Sequence, residues 1–211
     1  KEERIENRIL AAETLAYVVE VSAELQRIAA ISNHLPEKNK KTAGLGITSS
    51  SSCSGEQDER LKVQNESLSK EMQRCAFRVF ASLGANDEGI RKRIIEKEQL
   101  MVSLVSALED TQPKLQMAAI ACLHSMSRSV QLLRTTFQDH PVWQPLMKML
   151  SVPNASSVES LVVASSTLCN LLLEFSPSKE HILDSGAVDI LCELTGRPEE
   201  QLRLNGVWGL M

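Results

Sequence analysis

The chain has 211 residues, with 23 Lys and Arg against 27 Asp and Glu, so its formal net charge of −4 argues against a nucleic-acid binder that needs a basic face. Hydrophobic residues make up 43% and aromatic residues only 3%, so any core is built from Leu, Ile, Val, Ala and Met, which favours helices over an aromatic-rich sheet. No apolar run approaches the roughly 18 residues that span a bilayer, and no secretory signal precedes the first predicted helix.

Residues 1–21 read as a helix, with Ile5, Ile9, Ala12, Ala16 and Val19 forming one stripe and Leu15 beside it. A second helix is predicted over 22–35, with Leu25, Ile28 and Ile31 inward. Residues 36–60 break the pattern: the segment is polar, carries Gly44-Leu-Gly46 and a serine run from Ser49 to Ser52, and reads as a disordered polar insertion. Its Gly44-x-Gly46 is no phosphate loop, because no Gly-Lys-Ser/Thr follows. Lys38, Lys40 and Lys41 read as a solvated linker sooner than as a nuclear address.

A long helix is predicted over 61–83. Asn86 or Asp87 then caps a short helix around 90–95, whose Arg91, Lys92 and Arg93 read as a solvated face. Residues 99–109 form a medium helix, and Pro113 opens a long one to Ser127. A short helix over 130–138 leads to Asp139-His140-Pro141, which stands where a corner is needed, and a medium helix over 142–150 follows. Ser156 with Glu159 is a capping-box start for a long helix that is apolar on nearly every side, with Leu161, Ala164, Leu168, Leu172 and Phe175 at helical spacing. Pro177 suits the first position of a short helix, Gly186 a left-handed corner, and residues 187–195 a medium helix ending at Gly196. Pro198, Glu199 and Glu200 start the last helix, with acids favoured by its dipole.

The long helices share a small residue four positions before an apolar one. The pairs are Ala76 and Phe80, Ala119 and Leu123, Ala164 and Leu168, and Gly206 and Leu210, with steps of 43, 45 and 42 residues between the apolar members. The medium helices repeat in a second frame, Leu104, Leu146 and Leu191, with steps of 42 and 45. Ala11 and Leu15 match the same anchor, so residues 1–35 read as a degenerate partial repeat, and residues 61–211 as repeats with the last one truncated. A period of roughly 40–47 residues points to stacked layers of two or three helices. The small residue lets a neighbouring helix approach where a larger side chain would clash.

Catalytic motifs are absent: there is no Gly-x-Ser-x-Gly, no His-Glu-x-x-His and no phosphate loop. His34, His124, His140 and His181 are scattered without an i, i+4 pair, and His124 reads as a hydrogen-bonded structural residue. Five cysteines, an odd number without Cys-x-x-Cys, fit a reducing compartment; Cys75, Cys122, Cys169 and Cys192 lie in apolar helical segments as small hydrophobes. No metal, cofactor or catalytic residue is expected. The chain opens on Lys1 and stops inside a predicted helix at Met211, as expected of a fragment of a longer protein.

Short helix, glycine corner, medium helix and long helix, with Ile182-Leu-Asp-Ser-Gly-Ala-Val-Asp-Ile-Leu-Cys-Glu-Leu194 and Leu168-Cys-Asn-Leu171, resembles the armadillo-repeat family. The longer runs Phe137-Gln-Asp-His-Pro-Val-Trp143 and Ala81-Ser-Leu-Gly-Ala-Asn-Asp87 resemble a branch whose members are scaffold subunits of the CTLH/GID ubiquitin ligase. The resemblance implies an all-α, right-handed α-solenoid of about four to five armadillo repeats with incomplete ends. It implies a non-catalytic scaffold linking substrate receptor to catalytic core, with other ligase scaffold and receptor subunits as partners. Nucleic acid and membrane are not expected among those partners, and the expected location is cytoplasmic and nuclear. It also places candidate groove residues. Asn170 falls on the position where armadillo proteins carry a peptide-binding Asn, and Trp208 on the position of a Trp four residues earlier. Ser82 and Ser125 stand in for the Asn, Arg78, Ala121 and Ser166 for the Trp, and Glu174 lies one turn beyond Asn170. With the ladder mostly replaced, a cargo or adhesion adaptor binding an extended peptide is the alternative reading.

Overall fold

The computed structural model describes residues 2–20, 23–31, 55–96, 99–129, 140–152 and 156–211, and among them every regular element is a helix. In chain order these are α1 (Glu2–Glu20), α2 (Ala23–Ile31), α3 (Gly55–Leu83), α4 (Glu88–Ile95), α5 (Leu100–Leu108) and α6 (Pro113–Ser127). Then come α7 (Trp143–Ser151), α8 (Val158–Leu171), α9 (Lys179–Asp184), α10 (Ala187–Thr195) and α11 (Glu200–Leu210).

The long helices stack in sequence order: α1 on α3, α3 on α6, α6 on α8, and α8 on α11. The medium helices form a parallel file, α5 on α7 and α7 on α10. Among the described residues the main helix packing joins each layer to its neighbours, which is the arrangement of a solenoid. The two sequence frames are its core except at Leu210, which is 43% exposed. Leu104, Leu146 and Leu191 are buried in the medium helices; Phe80, Leu123 and Leu168 are buried in the long ones. Each such side chain contributes about 1.5–3 kcal/mol by leaving water.

Local chemistry sets the helix ends. The Asp87 carboxylate accepts from the Ile90 amide at 3.1 Å and starts α4. Pro113 occupies the first turn of α6, where a missing N–H costs nothing. The cap of α8 is Ser157, one residue later than Ser156, and its hydroxyl accepts from the Ser160 amide at 3.2 Å. Helix α9 begins at Lys179 after Ser178, so Pro177 lies in the preceding turn and not in the helix. Gly186 turns the chain from α9 into α10 at φ 85°, the left-handed region expected there. Gln99 makes the corresponding corner before α5 at φ 68°, without the glycine that makes it comfortable. At the third corner, the Val142 amide donates to the His140 carbonyl at 2.7 Å.

Three further sequence expectations need correction here. Among the described side chains of α2, Gln26 and Ala29 are buried while Leu25 and Ile28 are exposed, so the inward face is one residue out of phase with the apolar stripe; the side chain of Ile31 lies outside those described. The Gln26 amide explains the shift: Nε2 donates to the Val19 carbonyl at 3.0 Å and Oε1 accepts from Asn86 at 3.2 Å, tying α2 to the ends of α1 and α3. Helix α3 starts at Gly55, so residues 55–60 belong to it and not to the polar insertion. Arg91 is buried and not solvated, donating to the Gly84 carbonyl at 2.7 Å and locking α4 under the end of α3. The expected short helix at 130–138, Cys53, His34, the Lys38 to Lys41 cluster and the serine run lie outside the described residues.

The two left-handed corners make opposite predictions. A Cβ at Gly186 would meet nothing within 4 Å, so Gly186→Ala should lower unfolding stability by about 1–2 kcal/mol through backbone strain alone. Gln99→Gly should raise it, by up to ~1 kcal/mol once the freer unfolded chain is subtracted. Urea unfolding of both variants checks the pair.

Candidate interaction surface of the long helices

Counting from the small anchor residue of each long helix, two stripes recur. One faces the following layer, at −2, +1, +5 and +8 from the anchor. It reads Ile9, Ala12, Ala16 and Val19 on α1, Met117, Ile120, His124 and Ser127 on α6, and Val162, Ser165, Cys169 and Leu172 on α8. The other faces the preceding layer, at −1, +3 and +6. It reads Cys75, Val79 and Ser82 on α3, Ala118, Cys122 and Ser125 on α6, and Val163, Thr167 and Asn170 on α8.

Hydrogen bonds between layers fix this assignment, and most join residues 43 or 44 apart. The Asn170 amide donates to the Ser127 hydroxyl at 3.0 Å. The Ser125 hydroxyl donates to the Ala81 carbonyl at 3.0 Å. Arg128 donates to the Ala85 carbonyl at 2.9 Å. Asn205 donates to the Val162 carbonyl at 3.0 Å and to the Ser165 hydroxyl at 2.8 Å, while the Cys169 thiol donates to the Asn205 carbonyl at 3.2 Å. The Thr167 hydroxyl donates to the Val163 carbonyl at 2.7 Å and meets His124 Nδ1 at 3.2 Å; with its one proton already committed, the hydroxyl accepts, so Nδ1 carries the ring proton. Burial, aided by nearby Arg128, holds the His124 pKa below its ordinary value. This is the hydrogen-bonded structural histidine that the sequence suggested.

The anchor itself is a point of close approach. A Cβ on Gly206 would come within 2.8 Å of the Leu191 carbonyl oxygen and 3.0 Å of the Thr195 nitrogen. Helix α11 therefore lies against the backbone of α10, which no larger residue would allow.

Of the candidate groove residues, Ser125 is buried and Asn170 half-buried, and both side chains bond to the previous layer. Ser82 and Ser166 are half-buried. Arg78 is half-exposed and lies 3.9 Å from Glu13 of α1. Glu174 is exposed and paired with Lys179. Trp208 is 67% exposed. All of these except Glu174, which lies in the turn after α8, sit on long helices, with the polar groups of Ser125 and Asn170 already bonded between layers.

At the first layer boundary an ion-pair cluster replaces neutral bonds. Arg74 on α3 bridges Glu13 of α1 and Glu71 one turn away, the latter at 2.6 Å. Its guanidinium holds the Glu71 carboxyl below the usual range. Glu13, Glu71 and Cys75 bring ligand-type atoms within 4.8 Å of one another, but Arg74 already supplies the cation between the carboxylates. Lys70 joins Asp110 at 2.9 Å and so ties α3 to the turn before α6. Cys75 and Cys122 are buried as expected; Cys169 is half-buried, its thiol pushed up to about 11 by burial, and Cys192 is exposed, contrary to expectation.

Sequence reasoning passed over Asn205. It precedes the anchor Gly206, is buried, and also accepts from Gln201 at 3.3 Å. An Asn immediately before the small anchor Gly206 was the available signal. Asn205→Ala should cost about 1–3 kcal/mol, because its partners on α8 lose a buried donor. Ser166→Ala, a half-buried position with no inter-layer bond described, should stay within about 0.5 kcal/mol. Urea unfolding curves of the two variants measure the difference.

Among the described residues no helix is long and apolar enough to cross a membrane. No protein-family model matches the chain. Armadillo repeat-containing protein 8 of Pongo abelii is 53% identical over 213 residues, covering 100% of this chain and 30% of that protein. GID complex subunit 5 of Schizosaccharomyces pombe (strain 972 / ATCC 24843) is 38% identical over 130 residues, covering 62% of this chain and 16% of that one. The chain therefore spans about 30% of the length of the first of these relatives. Among solved structures, a designed armadillo repeat protein in complex with the peptide (KR)4 superposes with TM-score 0.69 at 15% identity, over 98% of this chain and 79% of that one. The fold is that of stacked armadillo repeats, and the chain is similar along its whole length to armadillo repeat-containing protein 8.

Proposed function

We propose that the chain is a non-catalytic protein–protein interaction scaffold within a CTLH/GID-type ubiquitin ligase, linking the substrate receptor to the catalytic core. The observation that carries this reading is whole-length similarity to armadillo repeat-containing protein 8, joined by similarity to a protein named as a GID complex subunit. The physical form suits the role. A stack of layers gains length without closing on itself, so it offers several partners separate stretches of surface at once. Ser125, Asn170 and Asn205 are bonded between layers, which keeps the spacing between those stretches fixed. The partners are other protein subunits of the ligase, in the cytoplasm and nucleus.

The peptide-binding alternative draws on Trp208 and Arg78, which keep exposed surface along the long helices. It is weakened by Ser125 and Asn170, whose side chains are already bonded to the previous layer. A groove peptide would have to replace those bonds.

Affinity purification of the tagged chain from its own cells should recover ubiquitin-ligase scaffold and receptor subunits. Arg78→Ala with Asn170→Ala should leave that recovery unchanged. Recovering no ligase subunit would overturn the proposal; salt-sensitive recovery lost in the double variant would favour the groove.

A further inference from the structure

His124 sits at the boundary between α6 and α8. The stripes that meet there are Met117, Ile120, His124 and Ser127 on α6 and Val163, Thr167 and Asn170 on α8, and His124 is their one titratable member. It is half-buried, and its Nδ1 meets the Thr167 hydroxyl at 3.2 Å. Because the Thr167 proton goes to the Val163 carbonyl, the neutral ring donates through Nδ1 and its Nε2 carries no proton. A second proton therefore goes to Nε2. Arg128, one turn further along α6, is the charge that acts on the ring. Across the boundary α8 has a single charged residue, Glu159, about two turns before Thr167, and its Cys169 thiol donates to the Asn205 carbonyl of α11. Of the other helices packed on α6, α5 has no charged residue, and Glu88 of α4 accepts from Ser129 and Arg91. On α3, Arg74 pairs with Glu71 and Glu13, and Arg78 faces Glu13. Among the described residues no carboxylate pairs with the ring.

We propose that the α6–α8 boundary is an acid-labile joint in the stack, opened when His124 takes up a proton, so that α8, α10 and α11 loosen as a unit from α3 and α6. An imidazolium there is a second cation beside Arg128, and it gives up solvation that no carboxylate replaces. Burial first, and Arg128 second, hold the ring's pKa below its ordinary value. The folded chain thus takes up this proton less readily than the unfolded one. The contribution of His124 to stability is complete above the unfolded imidazole pKa of about 6.5 and is lost as the pH falls below it. In a stack the effect is felt first at the boundary that carries it. The neighbouring boundaries are built differently. Helices α8 and α11 join through Asn205, Ser165 and Cys169, and α3 and α6 through Ser125 and the Ala81 carbonyl. Between α1 and α3, Arg74 holds the Glu71 carboxyl below the usual range, so that pair outlasts the imidazole as the pH falls.

Hydrogen exchange of the full chain at pH about 7.5 and about 5.5, on either side of the imidazole range and corrected for intrinsic rates, tests the joint. Protection in α8, α10 and α11 should fall several-fold at the lower pH, while α3 keeps the protection it has at the higher. His124→Asn places an amide donor where Nδ1 stood and does not titrate. It should match the parent at the higher pH and abolish the acid-dependent loss. Nitrogen-15 NMR of the parent's imidazole rings gives a readout that needs no variant: His124 should be the Nδ1–H tautomer when neutral and titrate below the ordinary histidine range. Equal protection at both pH values overturns the proposal. So does an acid-dependent loss that persists in His124→Asn, which would assign it to another group. A His124 ring that titrates at or above the ordinary range overturns it as well.

Discussion

The architecture depends on one contact made repeatedly: the backward stripe of a long helix laid on the forward stripe of the helix before it. Neither stripe is viable alone, since each long helix is apolar on too many sides to be covered by its own layer. On α6, Ile120 of the forward stripe and Cys122 of the backward stripe are both fully buried, between the layers on either side. The small anchor permits a second contact, with the medium helix of its own layer, and at Gly206 the tolerance is tight enough that even a methyl group would meet the backbone of α10.

Polar residues at the same boundary set the register. Ser125, Asn170 and Asn205 each satisfy a buried partner one layer back. A slip of one residue would strand those donors in a dry interface, at about 1–3 kcal/mol each. Hydrophobic burial thus supplies most of the cohesion, and hydrogen bonds specify which stacking is native. At the junction of α1 and α3 the same task falls to Arg74 between two carboxylates, and there the separation is 61 residues because a long polar segment intervenes.

Much of this was legible in the sequence because a period of about 43 residues is a statement about translation. Leu104, Leu146 and Leu191 announced the medium helices, and the Ala and Gly anchors announced the close approaches. Local chemistry was also readable where one residue decides it, as at Asp87, Pro113 and Gly186. What stayed hidden involved long polar side chains that choose partners across layers. Arg91 reads as surface until Gly84 presents a carbonyl to it, and Gln26 displaces Leu25 and Ile28 from the inside of α2 for the same reason. Asn170 was visible as a groove residue by resemblance, but its bond to Ser127 comes from the stacking, which no single helix encodes.

A stack held only by neighbours should loosen one layer at a time. Hydrogen exchange read by mass spectrometry on Leu202→Ala, a fully buried position in the last layer, tests this most directly. Protection should fall in α10 and α11, less in α8, and remain at parent levels in α3 and α6. Loss of protection by the same factor in every helix would contradict the account, since it would mean one undivided core.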